Sequence, residues 1–67
     1  MDKKEFGKKI KLARVESDLT QDQLAEKIET KQKNISRYET GASMPSIERL
    51  IKIANVLRKK VGYFFNE

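Results

Sequence analysis

Cysteine and histidine are both absent from this 67-residue sequence, as is tryptophan. Without cysteine the chain forms no disulfide and offers no thiolate to a metal ion. Without histidine it lacks the usual imidazole base and the usual zinc ligand, so we expect no cofactor, no metal and no enzymatic activity. The longest apolar run is three residues, too short to span a membrane or form a signal-peptide core. We therefore expect a cytoplasmic protein.

The net charge and its distribution favour a polyanionic partner. Fifteen Lys and Arg residues against ten Asp and Glu give a charge of +5. Such a basic chain suits nucleic acid, although a charge that only keeps the protein soluble explains the total equally well. The distribution is more informative, because residues 21–30 carry one basic and three acidic groups whereas residues 31–45 carry three basic and one acidic. Acidic groups thus predominate in one segment of the chain and basic groups in the next.

Apolar residues recur at helical spacing, and no alternating pattern typical of a strand is present. Residues 1–67 contain no linker, repeat or low-complexity tract, so we expect a single all-α domain of packed helices joined by short turns. A first helix is predicted over Lys3–Glu16. Its apolar stripe consists of Phe6, Ile10 and Ala13.

The second predicted helix has a strong start signal. Thr20 can accept a hydrogen bond from the backbone N–H of Gln23, whose side chain can return to the N–H of Thr20. Leu19 and Leu24 occupy the two positions of a hydrophobic staple around this capping box. The apolar side chains expected to bury the helix are Leu24, Ala25 and Ile28.

A third helix is predicted over Gln32–Thr40, and Gly41 ends it. Only Ile35 and Tyr38 are apolar, and they lie about 60° apart on the helix wheel, so both face the core. The opposite face has no acidic residue and carries hydrogen-bond donors, namely Lys33, Ser36, Arg37 and Thr40. This outer face is therefore a candidate binding surface.

The remaining chain predicts one more long helix and a short one. Pro45 and Ser46 begin the fourth helix, which extends to about Leu57. Its expected core stripe is Ile47, Leu50, Ile51, Ala54 and Leu57. A last short turn holds three apolar side chains at i, i+3 and i+4, namely Val61, Phe64 and Phe65.

The second and third helices, with their short connection, form a helix-turn-helix. The major groove of B-DNA is about 12 Å wide and admits one α-helix when a neighbouring helix holds it clear of the protein body. Arg37 can bond guanine O6 and N7 together, Gln32 can read adenine N6 and N7, and Lys33 can contact a base or a phosphate. At the start of the second helix, Gln21 and the backbone N–H groups suit a phosphate.

Three stretches carry a family likeness: LTQDQLAEKI (residues 19–28), NISRYETG (34–41) and PS (45–46). Together, and at this spacing, they resemble the lambda-repressor-like (Cro-type) helix-turn-helix family, and the likeness covers nearly the whole chain. It implies a compact five-helix DNA-binding domain. Such domains usually act as homodimers on a palindromic operator in double-stranded DNA.

The resemblance also implies roles for individual residues. The base-reading positions are Lys31, Gln32, Lys33, Ser36 and Arg37. The phosphate-contacting positions are Thr20, Gln21, Thr40 and Ser43. Family members often pair an Arg late in the first helix with the Glu ending the third, here Arg14 and Glu39. The helix wheel independently places both residues beside their core stripes, so we predict a structural clamp between them.

The sequence departs from the family pattern at three places. Glu29 stands where glycine usually allows a left-handed turn, which costs a residue with a Cβ about 1–2 kcal/mol. Lys31 replaces the usual Ser or Thr cap of the third helix, so we expect Thr30 to cap it instead. Arg-Lys-Lys at residues 58–60 replaces smaller residues in a region through which several members dimerise, and these cations suit phosphates equally well.

These observations favour a sequence-specific double-stranded DNA-binding transcriptional regulator, and specifically a repressor that acts by occupying its operator. The alternative is a protein-interaction module, such as an antitoxin or a helix-turn-helix adaptor that reads no DNA. The sorted charges of the third helix argue against that alternative.

Overall fold

The computed structural model describes residues 2–65, which fold into four α-helices and one short 3₁₀ helix without a strand. The elements are α1 (Lys3–Glu16), α2 (Gln21–Lys27), α3 (Gln32–Thr40), α4 (Ile47–Leu57) and the 3₁₀ helix (Val61–Phe65). The all-α prediction is confirmed, and the count of five α-helices is corrected to four. The last element is a short helix of five residues, and the tighter 3₁₀ form is used in short pieces rather than in long helices.

Side-chain caps fix where most helices begin. The capping box at α2 is confirmed, since Thr20 Oγ1 accepts from the Gln23 N–H at 3.0 Å and Gln23 Oε1 accepts from the Thr20 N–H at 2.8 Å. The predicted cap of α3 is wrong, because its N-cap is Lys31 and makes no side-chain bond. The Thr30 hydroxyl instead accepts from Asn34 Nδ2 at 2.8 Å. It is therefore bonded to a side chain inside α3 rather than to a backbone N–H.

The core is continuous and draws on every helix. The apolar residues predicted to be buried in α1, α2 and α3 are buried as expected: Phe6, Ile10, Ala13, Leu24, Ala25, Ile28, Ile35 and Tyr38. In α4 the predicted stripe is partly wrong, since Ile47 is 72% exposed and Ile51 is 46% exposed. Ile53, which the prediction omitted, is fully buried. The buried stripe follows i, i+3, i+4 and i+7 from Leu50, and the two exposed isoleucines lie to one side of it.

The 3₁₀ helix closes the core beneath α1. Phe64 is buried, with its ring centroid 6.2 Å from that of Phe6, whereas Phe65 remains 36% exposed and Val61 is only partly buried. Because the 3₁₀ helix turns every three residues, Phe64 shares the face of Val61 and Phe65 is rotated about 120° from both, whereas in an α-helix Phe65 would lie within about 40° of Val61. Of the three apolar side chains of the predicted turn, Phe64 alone is buried.

Two backbone features set how α1, α2 and α3 meet. Glu29 has φ 59°, so the left-handed turn expected between α2 and α3 is made without glycine. Gly7 lies where α1 crosses α3, and a Cβ there would collide with the carbonyl oxygens of Tyr38 and Glu39. A glycine inside a helix is unfavourable by itself, so the close approach of the two helices explains its presence.

None of the helices formed by residues 2–65 is long and apolar enough to cross a bilayer.

Candidate nucleic-acid interface

The inner face of α3 is fixed from behind by apolar contacts and by hydrogen bonds. Ile35 is fully buried and Tyr38 is 5% exposed. The Tyr38 hydroxyl accepts a hydrogen bond from Arg49 Nη1 of α4 at 3.0 Å. Because a buried phenol needs a polar partner, this bond gives Tyr38 a core role and ties α3 to α4.

Arg14 and Glu39 form a two-pronged ion pair between α1 and α3. Arg14 Nε donates to Glu39 Oε2 at 2.6 Å, and Arg14 Nη2 donates to Glu39 Oε1 at 3.1 Å. Arg14 Nη1 also donates to the Leu19 carbonyl at 2.7 Å, just ahead of α2. The two side chains are only 11% and 3% exposed. One charged pair thus links α1, α3 and the start of α2.

Gln21 occupies the junction between this pair and α3. Its Nε2 donates to Glu39 Oε1 at 2.9 Å, and its Oε1 accepts from Gln32 Nε2. The side chain predicted to contact a phosphate is therefore already used in joining the first residues of α2 and α3. One amide hydrogen on each glutamine and the Gln32 Oε1 atom are not used in these bonds. Gln32 keeps both the donor and the acceptor that adenine requires.

The outer face of α3 is exposed and positively charged. Lys31, Gln32, Lys33 and Arg37 are exposed, and Ser36 is partly so. Within residues 2–65, none of the three cations among them forms an ion pair. The only acidic side chain of α3 is Glu39, which faces inward against Arg14. The outer face of α3 is therefore a row of cations and hydrogen-bond donors with no acidic side chain of that helix among them.

The remaining predicted phosphate ligands lie at the two ends of the helix-turn-helix. Thr20 is exposed at the start of α2, where its hydroxyl accepts one bond and keeps its proton to donate. Thr40 Oγ1 and the Ser43 N–H both donate to the Arg37 carbonyl, each at 3.3 Å. The structure thus brings Thr40 and Ser43 together at the end of α3, close to the backbone of Arg37.

Two features of this arrangement were not predicted from the sequence, namely the Arg49–Tyr38 bond and the close approach at Gly7. The Arg49–Tyr38 bond has no signal in the sequence, since an Arg on α4 reads as solvent-exposed. Gly7 did have one, because a glycine in the middle of a predicted helix costs stability and often marks a close approach. That signal would have located the crossing point of α1 and α3.

The comparisons with known proteins agree with this geometry. A helix-turn-helix family model matches residues 10–64. An uncharacterized HTH-type transcriptional regulator of Rickettsia conorii is 37% identical over 60 residues, which cover 90% of this chain and 48% of that protein. The chain thus spans about half the length of the curated relatives it matches.

Two solved structures have a similar fold. PlcR of Bacillus thuringiensis, in complex with the peptide PapR7 and DNA, is 40% identical, with a TM-score of 0.85 over 92% of this chain and 22% of PlcR. The clp gene regulator ClgR of Corynebacterium glutamicum is 21% identical and supports the fold alone, with a TM-score of 0.90 over 98% of this chain and 70% of ClgR. The chain belongs to the lambda-repressor-like (Cro-type) helix-turn-helix family.

Proposed function

We propose that this chain is the DNA-reading part of a sequence-specific transcriptional regulator, in which α3 enters the major groove of double-stranded DNA. The observation that carries the proposal is the exposed face of α3, where Lys33 and Arg37 stand free of ion pairs within residues 2–65. Membership of the family and the likeness to PlcR, which was solved with DNA, support it.

In this proposal the two faces of α3 divide the work. Arg37 donates to guanine O6 and N7, Gln32 reads adenine, and Lys31, Lys33 and Ser36 contact neighbouring base edges. These side chains reach the bases in a fixed register because Ile35, Tyr38 and Glu39 hold the helix from behind. Thr20, Gln21, Thr40 and Ser43 contact phosphates on either side of the groove and set the register without reading sequence.

We further propose that the protein acts in the cytoplasm as a homodimer and represses by occupying a palindromic operator. A two-fold protein matches a two-fold site, so the half-sites should lie about one helical turn apart, near 34–36 Å. Occupancy alone suffices for repression.

The test is selection of binding sites from random duplex DNA, followed by titration of the selected site at several salt concentrations. We expect an enriched palindrome and an affinity that falls steeply with salt, since cations on the protein replace counterions on the phosphates. If no motif is enriched, sequence-specific binding is wrong. If the protein also fails to bind DNA at low salt, the result favours the protein-interaction alternative.

A further inference from the structure

The first turn of α1 packs directly against the end of α3. Gly41, which ends α3 with φ 84°, faces the backbone of this turn so closely that a Cβ would lie 3.2 Å from both the Lys3 carbonyl carbon and the Lys4 nitrogen. Because the contact is between two backbones, it fixes the position of the turn relative to α3. Thr40 precedes that contact by one residue and Ser43 follows it by two.

The two lysines of this turn are free, within residues 2–65, of the ion pairs that three other lysines form. Lys3 and Lys4 are exposed, and neither forms an ion pair within residues 2–65. By contrast, three other lysines lie within 4 Å of a carboxylate: Lys8 with Glu5, Lys52 with Glu29 and Lys59 with Glu16. Two unneutralised cations therefore stand beside the edge where Thr40 and Ser43 are proposed to meet phosphate.

We infer that Lys3 and Lys4 bind DNA phosphates next to those contacted at the end of α3. The inference rests on the proposed function, since it extends the same DNA surface onto α1. A lysine ammonium on a flexible four-carbon stem suits this role, because it contacts a phosphate as a point charge without demanding one geometry. The ligands are the side chains, as the Lys4 N–H already donates to the Asp2 carboxylate at 2.9 Å.

The acidic residues of the same turn modulate this contact. Glu5 is 3.8 Å from Lys8, which offsets part of its charge. The Asp2 carboxylate caps α1 and opposes a phosphate at short range. Asparagine caps a helix as well as aspartate does, so Asp2→Asn removes the charge and keeps the helix start. We expect this variant to bind DNA more tightly than the wild type by a few-fold.

The deciding experiment compares two double variants that each remove two positive charges. The test variant is Lys3→Ala with Lys4→Ala. The control is Lys9→Ala with Lys27→Ala, because Lys9 lies over the Tyr63 ring of the 3₁₀ helix and Lys27 ends α2. Each phosphate contact makes the slope of log K against log salt steeper by about 0.9. At about 0.1 M monovalent salt, one contact therefore raises the affinity about eightfold relative to about 1 M salt. The test variant should therefore show a slope shallower than that of the wild type by about 1.8 for each bound protomer, or about 3.6 for the proposed homodimer.

The probes are the duplex selected from the random library and a scrambled duplex of the same length. A slope for the test variant that is shallower than that of the control by at least about 0.9 per protomer, on both duplexes, supports the inference, and a smaller difference overturns it. Melting curves confirm that both variants fold, as all four substituted positions lie in α1 or α2, where alanine is favourable. A wild-type protein that binds neither duplex contradicts the proposed function and the inference together. Normal wild-type binding with equal slopes contradicts the inference alone.

Discussion

Both faces of α3 carry charged side chains, but in opposite environments. On the inner face, Glu39 is 7% exposed and its carboxylate accepts hydrogen bonds from Arg14 and Gln21. On the outer face, Lys33 and Arg37 are exposed and, within the part of the chain that the structure describes, have no carboxylate partner. Burial separates the residues that hold the helix in place from those free to meet a ligand.

This difference predicts that stability and binding respond to different substitutions. Inner-face changes leave a charge or a close contact unsatisfied in a low-dielectric site, so they lower the free energy of unfolding. Outer-face changes remove groups that are already solvated, so they alter DNA binding with little effect on stability. A substitution expected to change stability that changed only DNA binding, or the reverse, would contradict this difference between the two faces.

The largest expected effect is that of Glu39→Gln. It leaves the Arg14 guanidinium, 11% exposed, without an opposing charge and should cost about 3–5 kcal/mol of stability. That loss is comparable with the whole stability of a domain this small, about 3–10 kcal/mol. Urea unfolding of this variant measures the loss, with the exposed Glu26→Gln as the control. A midpoint equal to that of the wild type would show that the ion pair is not a clamp.

Gly7→Ala should cost about 3 kcal/mol, because the added methyl group collides with two backbone carbonyl oxygens of α3. The direction of the change in stability is informative, since the same substitution in a helix with space around the glycine would stabilise the protein by roughly 0.5–1 kcal/mol. Thermal melting measures the change, and Lys8→Ala one residue away is the exposed control. Stabilisation by Gly7→Ala would contradict the close crossing of α1 and α3.

Thr40→Val removes an outer-face hydroxyl and keeps the shape of the side chain. In the proposed complex this hydroxyl turns its one proton from the Arg37 carbonyl to a phosphate, so in the variant the affinity for DNA should fall by about 1–2 kcal/mol, equally for the selected site and for unrelated sequences. Competition binding with both duplexes measures this ratio. A loss confined to the selected site would move Thr40 from phosphate contact to base reading.

The smallest expected effect is stabilisation by Glu29→Gly, of about 1 kcal/mol. Glycine relieves the strain of φ 59° at the turn that joins α2 to α3. The ion pair lost with it joins Glu29 to Lys52 at 3.7 Å, and both side chains are more than half exposed, so it contributes little. Lys11→Gly, at an exposed position inside α1, should instead destabilise by about 1 kcal/mol. A lower melting temperature for Glu29→Gly would mean that the turn is not strained.

The sequence predicted those features that depend on local chemistry and on helical periodicity. The bounds of α1 and α3 and the capping box at Thr20 follow from residues within a few positions of each other. The left-handed turn at Glu29 was expected from the family resemblance alone. The buried stripes of α1 and α3 were also predicted correctly, since polar residues clearly mark their other faces. The exposed donors of α3 follow from the same periodicity.

The errors arose where two arrangements were locally equivalent. In α4 apolar residues occupy more than half of the wheel, so the sequence alone could not tell Ile51 from Ile53, and contacts with the rest of the core decided. The 3₁₀ winding that exposes Phe65 has no distinct sequence signal at this length. The bonds of Gln21 to Glu39 and Gln32 depend on how three elements meet, which no local pattern encodes.

The most direct test of the account is site selection with Arg37→Ala beside the wild type. The Arg37 side chain is exposed, and the Thr40 and Ser43 bonds at this position use its backbone carbonyl, so melting should be unchanged. We predict that the variant loses preference at one base pair in each half-site and that its affinity for the wild-type operator falls by about 1–3 kcal/mol. Recovery of the same motif with undiminished affinity would contradict the claim that the outer face of α3 reads DNA.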